Sequence, residues 1–145
     1  MSAAGLIFSN IHDVAIHELT QNRTMASVPF GCRYRLIDFA LSNMVNSDIT
    51  KVGLITHNNY QSLFDHIGNG KDWDLARREG GITLISPFQT ASAGEGKMFS
   101  THMQALKSMK VEYIDNFKED NVVLIDSDNV LNIDLSEVLA AHERT

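Results

Sequence analysis

The chain has 145 residues, which predicts one domain able to bury roughly 70% of the surface that its unfolded form exposes. Lys plus Arg is 12 against 18 for Asp plus Glu, a formal charge of −6, which argues against a nucleic-acid partner because such a partner needs a basic face. A hydrophobic share of 43%, a charged share of 21% and only two prolines exclude a disordered tail.

In chain order, residues 3–8 (Ala-Ala-Gly-Leu-Ile-Phe) read as a short buried strand. Residues 9–27 are polar and irregular and predict a long loop, a feature that usually has a function. A helix is predicted from about Leu36, with Ile37, Ala40, Leu41, Met44 and Val45 as one apolar stripe. Residues 51–56 read as a second strand. Tyr60, Leu63, Phe64 and Ile67 follow at helical spacing, with Gly68 or Gly70 as the stop. Residues 82–85 make a third strand. Phe99, His102, Leu106 and Met109 mark a third helix, and Met98, Met103 and Met109 are read as its packing residues. Residues 121–125 form a fourth strand, the most apolar and the one expected to be most buried. Asp134-Leu-Ser-Glu137 resembles a capping box that opens a last helix with Leu135, Val138 and Leu139 inward.

This alternation predicts an α/β fold, a mostly parallel sheet with helices on both faces. Ligands of such sheets sit beyond the carboxyl ends of the strands, which here places residues 9–27, 57–59, 86–96 and 126–134 at the candidate site. Aliphatic runs reach about four residues against the roughly 20 that span a bilayer, so no membrane partner is expected. No Lys or Arg precedes the apolar residues 3–8, which speaks against a secretory leader. The single Cys32 leaves no intrachain disulfide and fits a cytoplasmic location.

Gly96-Lys97 invites a phosphate-loop reading, but Ala91 and Met98 break the required spacing. Gly94 and Gly96 let backbone approach a flat ligand, or simply make a turn before a helix. Asp126-Ser127-Asp128 follows a strand, where an acidic side chain can hold a divalent cation or cap a turn. The six histidines show no zinc spacing along the chain and read as surface or core residues. No nucleophile elbow is present.

The run Val28-Pro29-Phe30-Gly31-Cys32-Arg33-Tyr34-Arg35-Leu36-Ile37-Asp38-Phe39-Ala40-Leu41-Ser42-Asn43 is more specific. It closely resembles the glucose-1-phosphate adenylyltransferases, whose pattern there is V-P-F-G-G-x-Y-R-L-I-D-F-x-L-S-N, and Asn46-Ser47 with Asp48-Ile49 resembles the N-S-G-I that follows. The resemblance implies a Rossmann-like nucleotidyltransferase domain, of which residues 1–145 would be the N-terminal, ATP-side portion. The rest of that domain and a C-terminal β-helix would lie outside. It implies an enzyme that joins ATP and glucose 1-phosphate into ADP-glucose and pyrophosphate with magnesium, for glycogen or starch.

Departures from the family pattern fall on its chemistry. The family's glycine-rich G-G-x-G-x-R loop is replaced by residues 10–20, with none of the three glycines. Ala15 stands at the place of the catalytic arginine and Met25 at that of a phosphate-contacting lysine, so no catalytic residue is carried over. Gln89 and Gly94 remain as degenerate nucleotide-binding positions, and Lys97 replaces an aspartate. Asp128 matches the aspartate of the family's G-D-H and reads as a remnant metal ligand; tight cofactor binding is not expected. Charge that builds on phosphate during transfer needs cations and free N–H groups, and one such donor is worth about 3 to 4 kcal/mol. The pattern is similar to that of the non-catalytic companion subunit of Gram-positive bacteria, whose partner is the catalytic adenylyltransferase subunit. Self-association and residual ATP binding would accompany that reading. The alternative is an active nucleotidyltransferase with a divergent loop, using Arg23 or Arg33 as substitute cations.

Overall fold

The computed structural model describes residues 2–56, 58–86, 101–110 and 113–145. Strands β1 (Ala3–Phe8), β4 (Lys51–Ile55), β5 (Gly81–Ile85) and β6 (Asn121–Asp126) form one sheet in the order β5-β4-β1-β6. All three pairings are parallel. Phe8 at the end of β1 stands beside Ile55 on one side and Asp126 on the other. A two-stranded hairpin, β2 (Pro29–Phe30) and β3 (Tyr34–Arg35), precedes helix α2 (Leu36–Asn46). Helices α3 (Gln61–Ile67), α4 (His102–Met109) and α5 (Leu135–Arg144) complete the alternation, and a one-turn α1 (His17–Thr20) lies in the long connection after β1.

Side chains alternate across the sheet with the period of 2 that a strand imposes. Ile7, Val52 and Leu54 point to one face, where Ile37, Leu41 and Met44 of α2, Leu63 and Ile67 of α3, and Leu135 and Leu139 of α5 cover them. Leu6, Phe8, Ile55 and Ile85 point to the other, under Ala105 and Met109 of α4. Helices therefore lie on both faces, as expected from the order of elements. Gly53 faces the α4 side, where an added Cβ would sit 2.6 Å from Leu6 Cδ2 and 2.8 Å from Ile85 Cδ1.

Four polar residues of the Arg35–Ser47 stretch stitch the layers. Arg35 Nη1 donates to the carbonyls of Ser27 and Ser62 and to Ser62 Oγ, the last at 2.6 Å. Asp38, buried, accepts from the Arg35 N–H that opens α2 and lies 2.6 Å from His66 Nε2. Asn43 donates to the Leu131 carbonyl and accepts from the Ile133 N–H, and Ser47 Oγ accepts from the Leu135 N–H. These bonds dock the segment that leads into α5. Asp134 caps α5 by accepting from the Ser136 N–H at 2.9 Å.

Several sequence expectations need correction. Residues 9–27 are not irregular throughout: 3-10 turns at Asp13–Ile16 and Met25–Ser27 flank α1. Strand β6 is not the most buried: among the described residues it pairs with β1 alone. Val122 and Leu124 remain 37% and 48% exposed, while β1, between two strands, is closed. Tyr60, Phe64 and Val138 lie on the solvent side of their helices, leaving Leu63 with Ile67 and Leu135 with Leu139 as inward pairs. Met103 is 71% exposed, Met109 is in the core, and Phe99 and Met98 lie outside the described residues.

The β2–β3 turn carries backbone strain. Gly31 and Cys32 both have positive φ, 59° and 69°, and for a residue with a Cβ the left-handed region costs roughly 1–2 kcal/mol. Cys32→Gly should therefore raise stability by up to about 1 kcal/mol. Asn43→Ala should lower it by about 1–2 kcal/mol, because the Leu131 carbonyl and Ile133 N–H lose their partner. Phe64→Ser, on the exposed face of α3, should stay within about 0.5 kcal/mol. Urea unfolding of the three variants measures all of these.

Candidate functional site

Beyond the carboxyl ends of β1 and β6, two connections meet. The first leaves β1 through Ser9 and Asn10, and Ser9 N and Oγ both donate to the Ile55 carbonyl, at 3.0 and 2.7 Å. The second leaves β6 at Asp126, and the Ser127 N–H donates to the Phe8 carbonyl at 3.0 Å. This pairing carries the parallel ladder one residue further and fixes the acidic turn against the β1 exit.

Four titratable side chains converge there. His12 Nδ1 lies 2.6 Å from Asp128 Oδ2. His102 Nε2, from the first turn of α4, lies 2.6 Å from Asp126 Oδ1. The His102 ring meets Phe8 edge-on, with centroids 4.6 Å apart and planes at 82°, and His12 lies 6.1 Å from it. Each carboxylate at the end of β6 thus carries an imidazole. His12, Asp126 and Asp128 each present a ligand atom, all within 4.8 Å of one another.

The β1 connection is organised by Asp13. Its Oδ2 accepts from Asn10 Nδ2 and its Oδ1 from the Met25 N–H, both at 2.7 Å, while its carbonyl accepts from Thr20 Oγ1 at 2.6 Å. Met25 is buried and packs with Val28, Leu36 and Ile16. Ala15 sits exposed on the 3-10 turn. The crevice bordered by Phe8, Ser9, Ile11, His12, Met25 and Asp126–Asp128 is shallow, with about 140 Å³ of empty space that opens to solvent.

Asp128 accordingly lies at the strand end where the sequence places it. Asp126 belongs to the acidic run that the sequence offers as a cation-holding turn, whereas His12, His102 and Asp13 were not singled out as site residues by sequence reasoning. Histidine spacing could not find the His12–Asp128 pair, whose members are 116 positions apart. Gln89 and Gly94 lie outside the described residues. Arg23 borders a separate cleft with Glu18, Leu19 and Pro29, and Arg33 borders another with Tyr34, His66 and Trp73. Neither of these candidate substitute cations lines the β1–β6 crevice.

The parallel sheet with helices on both faces defines an α/β class of fold whose ligand position lies beyond the carboxyl ends of the strands. Residues 16–145 match the family described as Nucleotidyl transferase, and the chain belongs to that family. It is 35% identical over 141 residues to a glucose-1-phosphate adenylyltransferase of Thermosipho melanesiensis, covering 97% of this chain and 34% of that protein. It is 36% identical over 143 residues to the glycogen biosynthesis protein GlgD of Bacillus subtilis, covering 96% of this chain and 39% of that protein. The chain thus spans little more than a third of these relatives' length. A crystal structure of a putative glucose-1-phosphate thymidylyltransferase from Bacillus anthracis, in complex with a sucrose, shares the fold. Its TM-score is 0.74 at 19% identity, covering 99% of this chain and 51% of that one.

Magnesium, the cation implied by the family, takes oxygen ligands in octahedral geometry and is usually completed by water and substrate phosphates. Asp126 and Asp128 offer oxygens at the right end of the sheet. Each is already bonded to an imidazole, and Met25 packs inward where a phosphate-contacting lysine would stand. This donor set fits magnesium poorly.

Burial raises the Asp13 carboxyl above its ordinary value of 3.8, against the lowering effect of its bonds from Asn10 and the Met25 N–H. A group whose folded value is raised binds more protons folded than unfolded, so its contribution to stability declines as pH rises through that interval. The interval begins near 3.8 and runs upward. Asp13→Asn lacks this slope. The stability difference between parent and variant should therefore move in the variant's favour as pH rises from about 3.8, as read by urea unfolding at a series of pH values.

Proposed function

We propose that this chain is part of a non-catalytic companion subunit of glucose-1-phosphate adenylyltransferase in glycogen biosynthesis. The observation that carries the reading is the filled β1–β6 crevice. Met25 is packed into an apolar cluster, Ala15 faces solvent, and the residues after β1 are held by Asp13 rather than left open to wrap a phosphate. Similarity to both an adenylyltransferase and GlgD supports the same setting.

Phosphoryl chemistry depends on cations and backbone donors placed where charge develops. Among the described residues, the groups bordering the crevice are two carboxylates, an imidazole, hydroxyls and apolar side chains. In this reading Asp128 is a vestige of the family's metal position and binds magnesium weakly. Catalysis belongs to a partner subunit in the cytoplasm, and this chain contributes structure.

The β2–β3 hairpin offers a contact surface for that partner. Phe30 and Tyr34 are 46% and 50% exposed, and both rings lean on Phe39, at 5.5 and 6.2 Å. Exposed aromatic clusters of this kind mark protein contacts. The edge of β6 that has no strand partner among the described residues, with Val122 and Leu124, is a second candidate, for this chain's own association.

Purified protein given ATP, magnesium and glucose 1-phosphate should yield no ADP-glucose. Mixed with a catalytic glucose-1-phosphate adenylyltransferase, it should co-elute on size exclusion and raise the partner's turnover. ADP-glucose formation by the protein alone would overturn the proposal. Phe30→Ser with Tyr34→Ser should weaken co-elution at least about tenfold in affinity while urea stability changes little.

A further inference from the structure

We propose that His12, Asp126 and Asp128 form a site for a borderline divalent transition-metal ion, zinc being the test ion, and that the site discriminates against magnesium. This inference does not rest on the companion-subunit reading, since an active enzyme would leave it intact.

Three observations carry it. The first is convergence: donors from the exits of two strands, distant in sequence, bring one ligand atom each within 4.8 Å of the others. Ligands of a tetrahedral ion at about 2.1 Å stand about 3.4 Å apart, so small side-chain rotations close the site. The second is donor type. An imidazole with two carboxylates is the kind of set that zinc and its neighbours in the transition series accept, whereas magnesium selects oxygen alone. Two carboxylates with one neutral imidazole also balance a 2+ ion.

The third is support around the ligands. His102 Nε2 holds Asp126 Oδ1 at 2.6 Å, leaving the other oxygen of that carboxylate for a metal, and Phe8 fixes the His102 ring. Outer partners of this sort orient ligating carboxylates and set affinity. The turns are tied as well, by Ser127 N–H to the Phe8 carbonyl and Ala15 N–H to the His12 carbonyl, at 3.0 and 2.9 Å. The His12 side chain is 45% exposed, so an ion can enter from solvent and keep a position for an outside ligand. The ion would replace the hydrogen bond between His12 and Asp128 with two bonds to itself.

The test is calorimetric titration of the chelator-treated protein with zinc chloride and, separately, with magnesium chloride. One zinc per chain is expected, with magnesium at least about a hundredfold weaker. His12→Gln and Asp128→Asn should each weaken zinc more than about tenfold, and His102→Gln by about tenfold through Asp126. His142→Gln, on α5, should leave zinc binding unchanged. Should His12→Gln fail to fold, the parent protein still decides the matter. Proton–nitrogen spectra should show the His12 ring nitrogens shifting on zinc addition while those of His142 do not. Absence of zinc binding, zinc binding indifferent to His12→Gln in a folded variant, unmoved His12 resonances, or magnesium binding as tight as zinc would each overturn the proposal.

Discussion

Parallel pairing of β1 with strands on both sides is the constraint on which the rest depends. Phe8 stands beside both Ile55 and Asp126, and backbone bonds beyond the strand ends extend that register to Ser9 and Ser127. Parallel strands require long crossovers, so residues far apart in the chain leave the sheet at one end. The register delivers His12 to Asp128 and His102 to Asp126. A one-residue slip would turn Phe8 to the opposite face and dismantle both pairs.

The block from Val28 to Asn43 has a structural explanation that needs no ligand. Ile37, Ala40 and Leu41 fill the core, Val28 and Leu36 pack with Met25, and several of its polar residues bind neighbouring layers, while Phe30 and Tyr34 stay exposed. Arg35 reaches Ser27 and Ser62, Asp38 reaches His66, and Asn43 reaches the segment before α5. Buried polar groups must be paired, and a residue that pairs several elements at once cannot change without leaving donors or acceptors stranded. The residues after β1 answer to a different demand. Wrapping a phosphate needs glycines and free N–H groups. Here the Met25 N–H goes to Asp13 and the Met25 side chain goes into the apolar cluster. The same stretch of backbone therefore serves packing.

The sheet end thus holds carboxylates partnered by imidazoles. Phosphate chemistry brings a dense negative charge and relies on cations to meet it. Here the groups at the strand end are carboxylates hydrogen-bonded to imidazoles, with nitrogen as well as oxygen among the potential ligand atoms.

The sequence by itself determined the order of elements, the two-sided layering and the core of α2, because the stripe Ile37, Ala40, Leu41 and Met44 and the short apolar strands are local patterns with fixed periods. It also placed Asp128 at a strand end and exposed the loss of glycines after β1. Only the tertiary structure decided which apolar runs are covered. Val122 and Leu124 look like core in sequence and remain partly exposed on β6, which pairs with β1 alone among the described residues. Only tertiary structure, likewise, joined His12 to Asp128 and His102 to Asp126, and turned Met25 inward. Periodicity reports neighbours within one element, whereas a site at the ends of parallel strands is assembled from crossovers whose partners are set by sheet order and register.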